Sequence, residues 1–429
     1  MMQKIKSIAE LETGKGAYFK VETDKSPLSY KLGEDMSFHF ALCDAEGEPL
    51  SCPQIKYMTR IDGTDDVDVW KSVDGSEGQL TLSLKPTIPG FAYVRVWACD
   101  EEGNRYPNSE ECNAGAGADV EKIRTAAPEP DDFDEFWKNT VKVLNDIEPT
   151  VLEMTKLDPE KWRFEPEKYT TYCVRVASVD SEYASGFLSI PYDAEVGKCA
   201  LRLDFHGYGF DNPYGKYVPK TIVFDVIAHS IPATLTKEEL AEVQKDPHFK
   251  NYAMWGDNRN LNRETVYFKN MILRDLQAAR FLMRYFGSDE GGNLWDGKTI
   301  GTRGGSQGAF QATAVGALLH HFGIEPSFLI YNMPWLCDVG GAKFGVRYRS
   351  RFLPDYTDAL LYYDTTYFAK RIRCQALEGV TGLGDTCAIP SATISYFKAL
   401  GSEKKVITFQ QNGVHGGHGK FYQDFSIEK

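Results

Sequence analysis

The pentapeptide Gly304-Gly305-Ser306-Gln307-Gly308 constrains the fold more than any other part of this sequence, because it has the Gly-x-Ser-x-Gly pattern. Glycines two residues before and after Ser306 remove the side chains that would collide where a strand turns sharply into a helix. The flanking sequence predicts that geometry, with a turn over residues 295–298, a short strand over 299–302 and a small-residue helix over 311–319. The motif therefore predicts a nucleophile elbow; a tight turn without chemistry is the alternative.

Length and charge limit the classes of protein to which the chain can belong. At 429 residues it is long for one domain, and about two or three units are expected at roughly 150 residues each. A net charge of -13 argues against nucleic acid as a partner and favours a small neutral substrate. No apolar run reaches the roughly 18 residues that a membrane span needs, so no membrane partner is expected.

The first residues of the chain indicate its cellular location, and its cysteines indicate whether disulfides are expected. The first ten residues contain no apolar signal segment, which favours a cytoplasmic location, or a secreted or periplasmic one if a leader has been removed. The nine cysteines are odd in number and form no C-x-x-C pair. Free, packed thiols are therefore favoured over a disulfide framework.

Residues 1–125 are predicted to form an N-terminal β domain. Five segments alternate between apolar and polar residues, and glycine-containing turns separate them; the segments are 17–22, 36–42, 54–58, 80–84 and 92–98. Short strands at this spacing, without a helical pattern, favour an antiparallel sandwich of immunoglobulin-like type. Sugar binding, subunit contacts and simple bracing of the rest of the chain are all open roles, and bracing is favoured.

Residues 126–429 are predicted to form a second domain of α/β type. A Gly/Ala-rich stretch at 113–119 is expected to be a flexible linker, and an amphipathic helix is expected to begin near Asp131. Strands are then predicted over 171–177, 186–190 and 199–205, followed by a helix over 266–285. This alternation indicates an α/β domain with a mostly parallel sheet. The elbow at Ser306 within it is typical of an α/β-hydrolase domain.

A serine at an elbow needs a base, and in α/β hydrolases both the acid and the base follow it in the chain. Four histidines lie downstream of Ser306, and two of them, at 320 and 321, are on the helix that leads away from it. The base is therefore His415 or His418, in the loop after the strand predicted at 406–409. His415 is favoured because it is nearer the strand end and precedes two glycines.

The same positional argument selects Asp385 as the acid. It follows the apolar segment 374–380 and a Gly-Leu-Gly turn, and it precedes a helix predicted over 391–400. Four other acidic residues between the serine and the base lack such a strand-end position, and solvated loop charges are expected of them. These are Asp338, Asp355, Asp358 and Asp364.

Two backbone amides are predicted to stabilise the oxyanion of an acyl-transfer reaction. The elbow supplies the amide of Gln307, and the glycine-containing turn after the strand at 199–205 supplies that of Tyr208. His206, in the same turn, precedes the serine and is interpreted as a structural residue.

Several spaced motifs together resemble the acetyl xylan esterase and cephalosporin C deacetylase family, carbohydrate esterase family seven. They are Phe205-His206-Gly207-Tyr208, Trp295-Asp296-Gly297-Lys298, the elbow, Gly382-Leu383-Gly384-Asp385-Thr386-Cys387 and His415-Gly416-Gly417. The resemblance covers about residues 126–429. It implies removal of acetyl groups from xylo-oligosaccharides or similar small compounds by a serine mechanism with neither metal nor cofactor. It also suggests a homo-oligomer, with the segment 231–262 as a contact.

The chain departs from the pattern of that family at three places. Ala228-His229-Ser230 stands where the family usually has Arg-Gly-Gln, Ala309 replaces a glycine, and Gly416 replaces an acidic residue. His229 is a candidate for contact with substrate, and a packed histidine is the alternative. Two other functions remain open, namely an esterase or peptidase of different acyl preference and a carbohydrate-binding protein without catalysis.

Overall fold

A computed structural model describes residues 5–12, 15–64, 68–162, 164–350, 352–378, 380–416 and 424–428. Its strands are β1 (Lys6–Ser7), β2 (Ala17–Thr23), β3 (Met36–Asp44), β4 (Leu50–Ser51), β5 (Gln54–Ile61), β6 (Lys71–Asp74), β7 (Gln79–Leu84), β8 (Gly90–Cys99), β9 (Cys112–Ala118), β10 (Val151–Lys156), β11 (Tyr169–Ala177), β12 (Tyr183–Pro191), β13 (Cys199–Phe205), β14 (Thr221–Val226), β15 (Trp295–Gly305), β16 (Phe328–Asn332), β17 (Gln375–Glu378), β18 (Val380–Gly382), β19 (Val406–Gln410) and β20 (Asp424–Glu428). Its α-helices are α1 (Phe133–Lys142), α2 (Pro159–Trp162), α3 (Lys237–Val243), α4 (Phe268–Phe286), α5 (Gln307–Leu318), α6 (Thr365–Ala369) and α7 (Pro390–Ala399). Within these ranges, none of the helices combines the length and the apolar character needed to cross a bilayer.

In the described part of residues 5–118, two antiparallel sheets enclose one apolar core, and β1 pairs with β4 in a short parallel sheet. One sheet has the order β2-β3-β7 and the other β6-β5-β8-β9. Phe38 of the first sheet and Val94 of the second belong to the same buried cluster, because inward-facing residues alternate along each strand. The five strands predicted here are confirmed, and the immunoglobulin-like assignment stays a prediction.

The Gly/Ala-rich stretch at 113–119 is not a flexible linker, and that prediction is wrong. It forms most of β9, which pairs with β8 and is buried along its whole length. Its small side chains let another backbone pack directly on the strand. A Cβ atom added at Gly115 would lie 2.2 Å from the carbonyl oxygen of Leu383. The composition that resembles a linker therefore reflects close packing against the second half of the chain.

The rest of the chain is built on an eight-stranded sheet of order β10-β11-β12-β14-β13-β15-β16-β17. The four pairs from β14 to β17 are parallel, as predicted. The three pairs from β10 to β14 are antiparallel, so the sheet is mixed, with a parallel majority of four pairs among seven. Two of the antiparallel pairs arise because β10, β11 and β12 follow one another without a long helical crossover, and such connections produce antiparallel neighbours.

The predicted elements around the elbow are confirmed with shifted boundaries. The strand predicted over 199–205 is β13, and the helix predicted over 266–285 is α4. The turn expected at 295–298 lies inside β15, where Gly297 has a φ of +77°. The helix after the serine begins at Gln307, four residues earlier than predicted.

Two of the four acidic residues assigned to solvated loops are buried. Asp364 is fully buried and accepts hydrogen bonds from the backbone amides of Asp338 and Val339. Burial raises the pKa of Asp364 to about 7. Asp338 is buried beside Arg347, at 3.0 Å. These carboxyls have local structural roles, whereas Asp355 and Asp358 are exposed as expected.

The contact between β9 and Leu383 predicts that Gly115→Ala destabilises the protein. The added methyl group must displace backbone, so the free energy of unfolding should fall by about 1–3 kcal/mol. Denaturant unfolding followed by circular dichroism measures this change. Gly16→Ala is the matched control, because its Cβ would meet its nearest neighbour at an ordinary 3.6 Å. Equal stability of the two variants would contradict this packing.

Candidate active site

Ser306 lies at the tip of a strained turn between β15 and α5. Its backbone has φ 57° and ψ −124°, a conformation that costs a non-glycine residue about 1–3 kcal/mol. A Cβ at Gly304 would lie 2.1 Å from the carbonyl oxygen of Gly308, and one at Gly308 would lie 2.2 Å from that of Phe205. The Ser306 amide donates to the carbonyl of Asn332 at 2.9 Å. The turn is thus held by close backbone packing that leaves no room for a side chain at Gly304 or Gly308.

The structure brings together the three side chains predicted to form a triad. His415, in the loop after β19, has its Nε2 atom 2.8 Å from the Ser306 hydroxyl oxygen. Its Nδ1 atom is 2.8 Å from Oδ2 of Asp385. An ionised carboxylate only accepts, so in the neutral ring Nδ1 carries the hydrogen and Nε2 accepts from the serine. His418, the alternative base, lies outside the described residues.

Asp385 is held rigidly in the loop after β18. Its side chain is fully buried, and Oδ1 accepts from the backbone amides of Cys387 at 2.7 Å and Ala388 at 3.0 Å. The hydroxyl of Tyr348 donates to the Asp385 carbonyl at 3.3 Å. With its donors in place, the buried carboxylate can orient the imidazole without an unsatisfied charge.

Burial and hydrogen bonding shift the pKa of His415 in opposite directions. Burial lowers the pKa of the ring, but hydrogen bonds to Asp385 and Cys387 raise it to about 10. A negative partner stabilises the imidazolium, so the net direction is upward. The ring is therefore a stronger proton acceptor than an isolated histidine.

The turn after β13 lies directly against the serine. A Cβ at Gly207 would be 3.8 Å from the Cβ of Ser306, so the Tyr208 segment lies beside the hydroxyl. Gln307 is the first residue of α5, and its backbone N–H has no partner within the helix. Both predicted oxyanion donors thus belong to segments that meet at Ser306.

Tyr252 connects these two segments, and no sequence motif identifies it. Its buried hydroxyl accepts from the Gly209 amide at 3.2 Å and donates to Oε1 of Gln307 at 2.8 Å. Its ring stacks on that of Tyr208, with centroids 4.5 Å apart. Tyr252 belongs to the 231–262 segment for which a subunit contact is expected, so this segment also supports the site.

His229 is almost fully buried, in contrast to its candidacy for substrate contact. It is 1% exposed, and its ring nitrogens lie 2.6 Å from the Tyr267 hydroxyl and 3.1 Å from the Gly209 carbonyl. Burial, with Arg274 adding to it, holds the pKa of His229 well below its usual value. The residue is therefore a neutral support under the turn that contains Tyr208 and Gly209.

Comparisons with known proteins identify the family of this chain. The sequence model of the acetyl xylan esterase (AXE1) family matches residues 118–342. The acetyl esterase Axe7A of Xylanibacter ruminicola is 24% identical over 324 residues, which are 70% of this chain and 67% of that protein. The structure of an acetyl xylan esterase from Paenibacillus sp. R4 superposes with a TM-score of 0.52 and 18% identity, covering 70% of this chain and 94% of that one. This last similarity shows an α/β-hydrolase-like fold.

The contacts of His415 predict how its ring titrates. Because these contacts raise the pKa of His415, the ring should lose its proton at a midpoint pH above the ordinary histidine value of about 6.5. The ring should be protonated below that midpoint and neutral above it. Asp385→Asn removes the negative partner and should lower the midpoint. Imidazole NMR shifts followed against pH measure both values. A midpoint at or below 6.5 in the unsubstituted protein would contradict the assigned contacts.

Proposed function

Because this chain belongs to the acetyl xylan esterase family and is a carboxylic ester hydrolase, we propose that it removes acetyl groups from acetylated xylo-oligosaccharides or similar small esters through Ser306, His415 and Asp385. The observation that carries this proposal is the continuous hydrogen-bonded series from the Ser306 hydroxyl through His415 to Asp385. This arrangement supplies a nucleophile, a base and an orienting acid.

In the first half of the reaction Ser306 becomes acetylated. Its Oγ atom forms a bond to the ester carbonyl carbon while its proton moves to Nε2 of His415. The carbon–oxygen bond to the alcohol then breaks, and the alcohol oxygen takes the proton from Nε2. Asp385 stabilises the imidazolium that exists between these two transfers.

In the second half water restores the serine. His415 accepts a proton from the water, whose oxygen attacks the acetyl carbon. The bond to Oγ then breaks, Oγ recovers the proton, and acetate leaves. The backbone amides of Tyr208 and Gln307 stabilise the oxyanion in both halves, each contributing about 3 kcal/mol.

Ser306→Ala tests the proposed nucleophile. The variant should lose hydrolysis of a chromogenic acetate ester by about 10⁴-fold or more, since no oxygen remains to be acylated. Circular dichroism should show an intact fold. Ser83→Ala, at an exposed position in β7, is the matched control and should keep full activity. Unchanged turnover by Ser306→Ala would overturn the assignment of the nucleophile. A comparison of acetate esters with butyrate esters and peptide substrates would test the acyl preference.

Tyr252→Phe tests whether its hydroxyl positions the oxyanion donors. Loss of the bonds to Gly209 and Gln307 should lower kcat by about tenfold, as misplacing a donor weakens binding of the transition state more than that of the substrate. KM should change little. A variant that raises KM without lowering kcat would contradict this role.

A further inference from the structure

We propose that the N-terminal β domain forms one wall of a binding site for the neutral, polyhydroxylated alcohol part of the ester, beside His415. This proposal rests on the esterase function proposed above, because it assigns the place of the leaving alcohol. Sugar binding is one of the roles that the sequence left open for this domain.

A cavity of about 340 Å³ separates the two halves of the chain at this point. Arg60, Arg95 and Glu111 line it from the N-terminal sheet of β5, β8 and β9 and its flanking residues. His415 and Phe352 line it from the other half. Residues of the N-terminal domain and His415 thus line one cavity.

The position of His415 decides which part of the ester belongs in this cavity. In the proposed reaction Nε2 gives its proton to the departing alcohol oxygen, so the alcohol must leave on the side of the imidazole. The acetyl group, in contrast, is directed to the amides of Tyr208 and Gln307. His415 lines the cavity, whereas Ser306, Tyr208 and Gln307 do not.

The charges of the wall are balanced within the protein, which favours an uncharged ligand. Arg60 pairs with Asp68, and Arg95 pairs with Glu111 at 2.5 Å. Asn113 donates to the same glutamate at 2.9 Å. No cation of this set is left without a counter-charge to attract an anionic sugar. Carboxylate oxygens accept and guanidinium groups donate, a combination that matches hydroxyl groups, which do both.

The cavity also offers apolar surface for the carbon–hydrogen face of a sugar ring. Phe352 is 48% exposed although it is a large apolar side chain at the cavity. Its backbone is fixed because the Trp335 indole donates to its carbonyl at 2.7 Å. On the opposite side, Met58 and Tyr93 of the N-terminal domain also line the cavity.

The N-terminal wall residues precede the part of the chain that matches the family. The match begins at residue 118, whereas Arg60, Arg95 and Glu111 lie before it. The wall thus lies before the matched residues 118–342, and Phe352 and His415 lie after them.

Substitutions at the two sides of the cavity test this site in the full chain. The probes are ethyl acetate, whose alcohol carries no further hydroxyl, acetylated methyl glucoside, and acetylated methyl glucuronide, which adds a carboxylate. Glu111→Gln and Phe352→Ala should each lower the ratio of kcat/KM for the glucoside to kcat/KM for ethyl acetate by about tenfold. Glu77→Gln, at an exposed position in the same domain, is the control and should leave the ratio unchanged.

A further readout separates ligand contact from a structural role. Glu111→Gln leaves Arg95 without its counter-charge, so this variant should raise kcat/KM for the glucuronide relative to the glucoside. The unsubstituted protein should prefer the glucoside. If Glu111→Gln does not fold, the exposed Phe352→Ala variant still tests the ratio. Unchanged ratios in both variants would overturn the binding site alone, and so would a preference of the unsubstituted protein for the glucuronide. If the unsubstituted protein hydrolyses none of the esters, the esterase function and the binding site are both overturned.

Discussion

The arrangement of the site depends on the turn between β15 and α5, where the backbone of Ser306 is held at a positive φ. This conformation is unfavourable by itself, so the surrounding packing must supply the free energy that maintains it. Gly304 and Gly308 provide that packing, because backbone atoms stand where their side chains would be. The same contact brings the end of β13 beside the serine. Nucleophile and oxyanion turn are therefore positioned by one steric constraint.

The acid and the base depend on a second contact, between the two halves of the chain. The loop that contains Leu383 and Asp385 packs on Gly115 of β9, and the Gln411 side chain donates to the Gly115 carbonyl at 3.0 Å. Asp62 of the N-terminal half is fully buried and accepts from the Tyr348 amide at 3.0 Å. The bracing role favoured for the N-terminal domain thus has a physical basis, since it supports the segments on both sides of the carboxylate.

The residues that could be predicted from sequence are those whose positions follow from local patterns. Ser306, Asp385 and His415 each follow a strand that alternation or apolar content reveals, although β15 belongs to the eight-stranded sheet and β18 and β19 belong to a three-stranded one. Tyr252 could not be found, because it acts from a segment without a motif. The burial of Asp364 and the pairing of β9 depend on contacts between residues far apart in the chain. Local composition predicted a solvated Asp364 and a flexible segment at β9. Tertiary packing instead buries both.

The central claim is that Ser306 is the one nucleophile that His415 activates. Reaction with a fluorophosphonate, followed by mass spectrometry of the proteolysed protein, tests it most directly, because this reagent modifies a serine only when a neighbouring base accepts its proton. The account predicts a single phosphonyl adduct on the peptide that contains Ser306, formed faster as His415 becomes deprotonated. An unmodified Ser306, or an adduct at another serine, would contradict it.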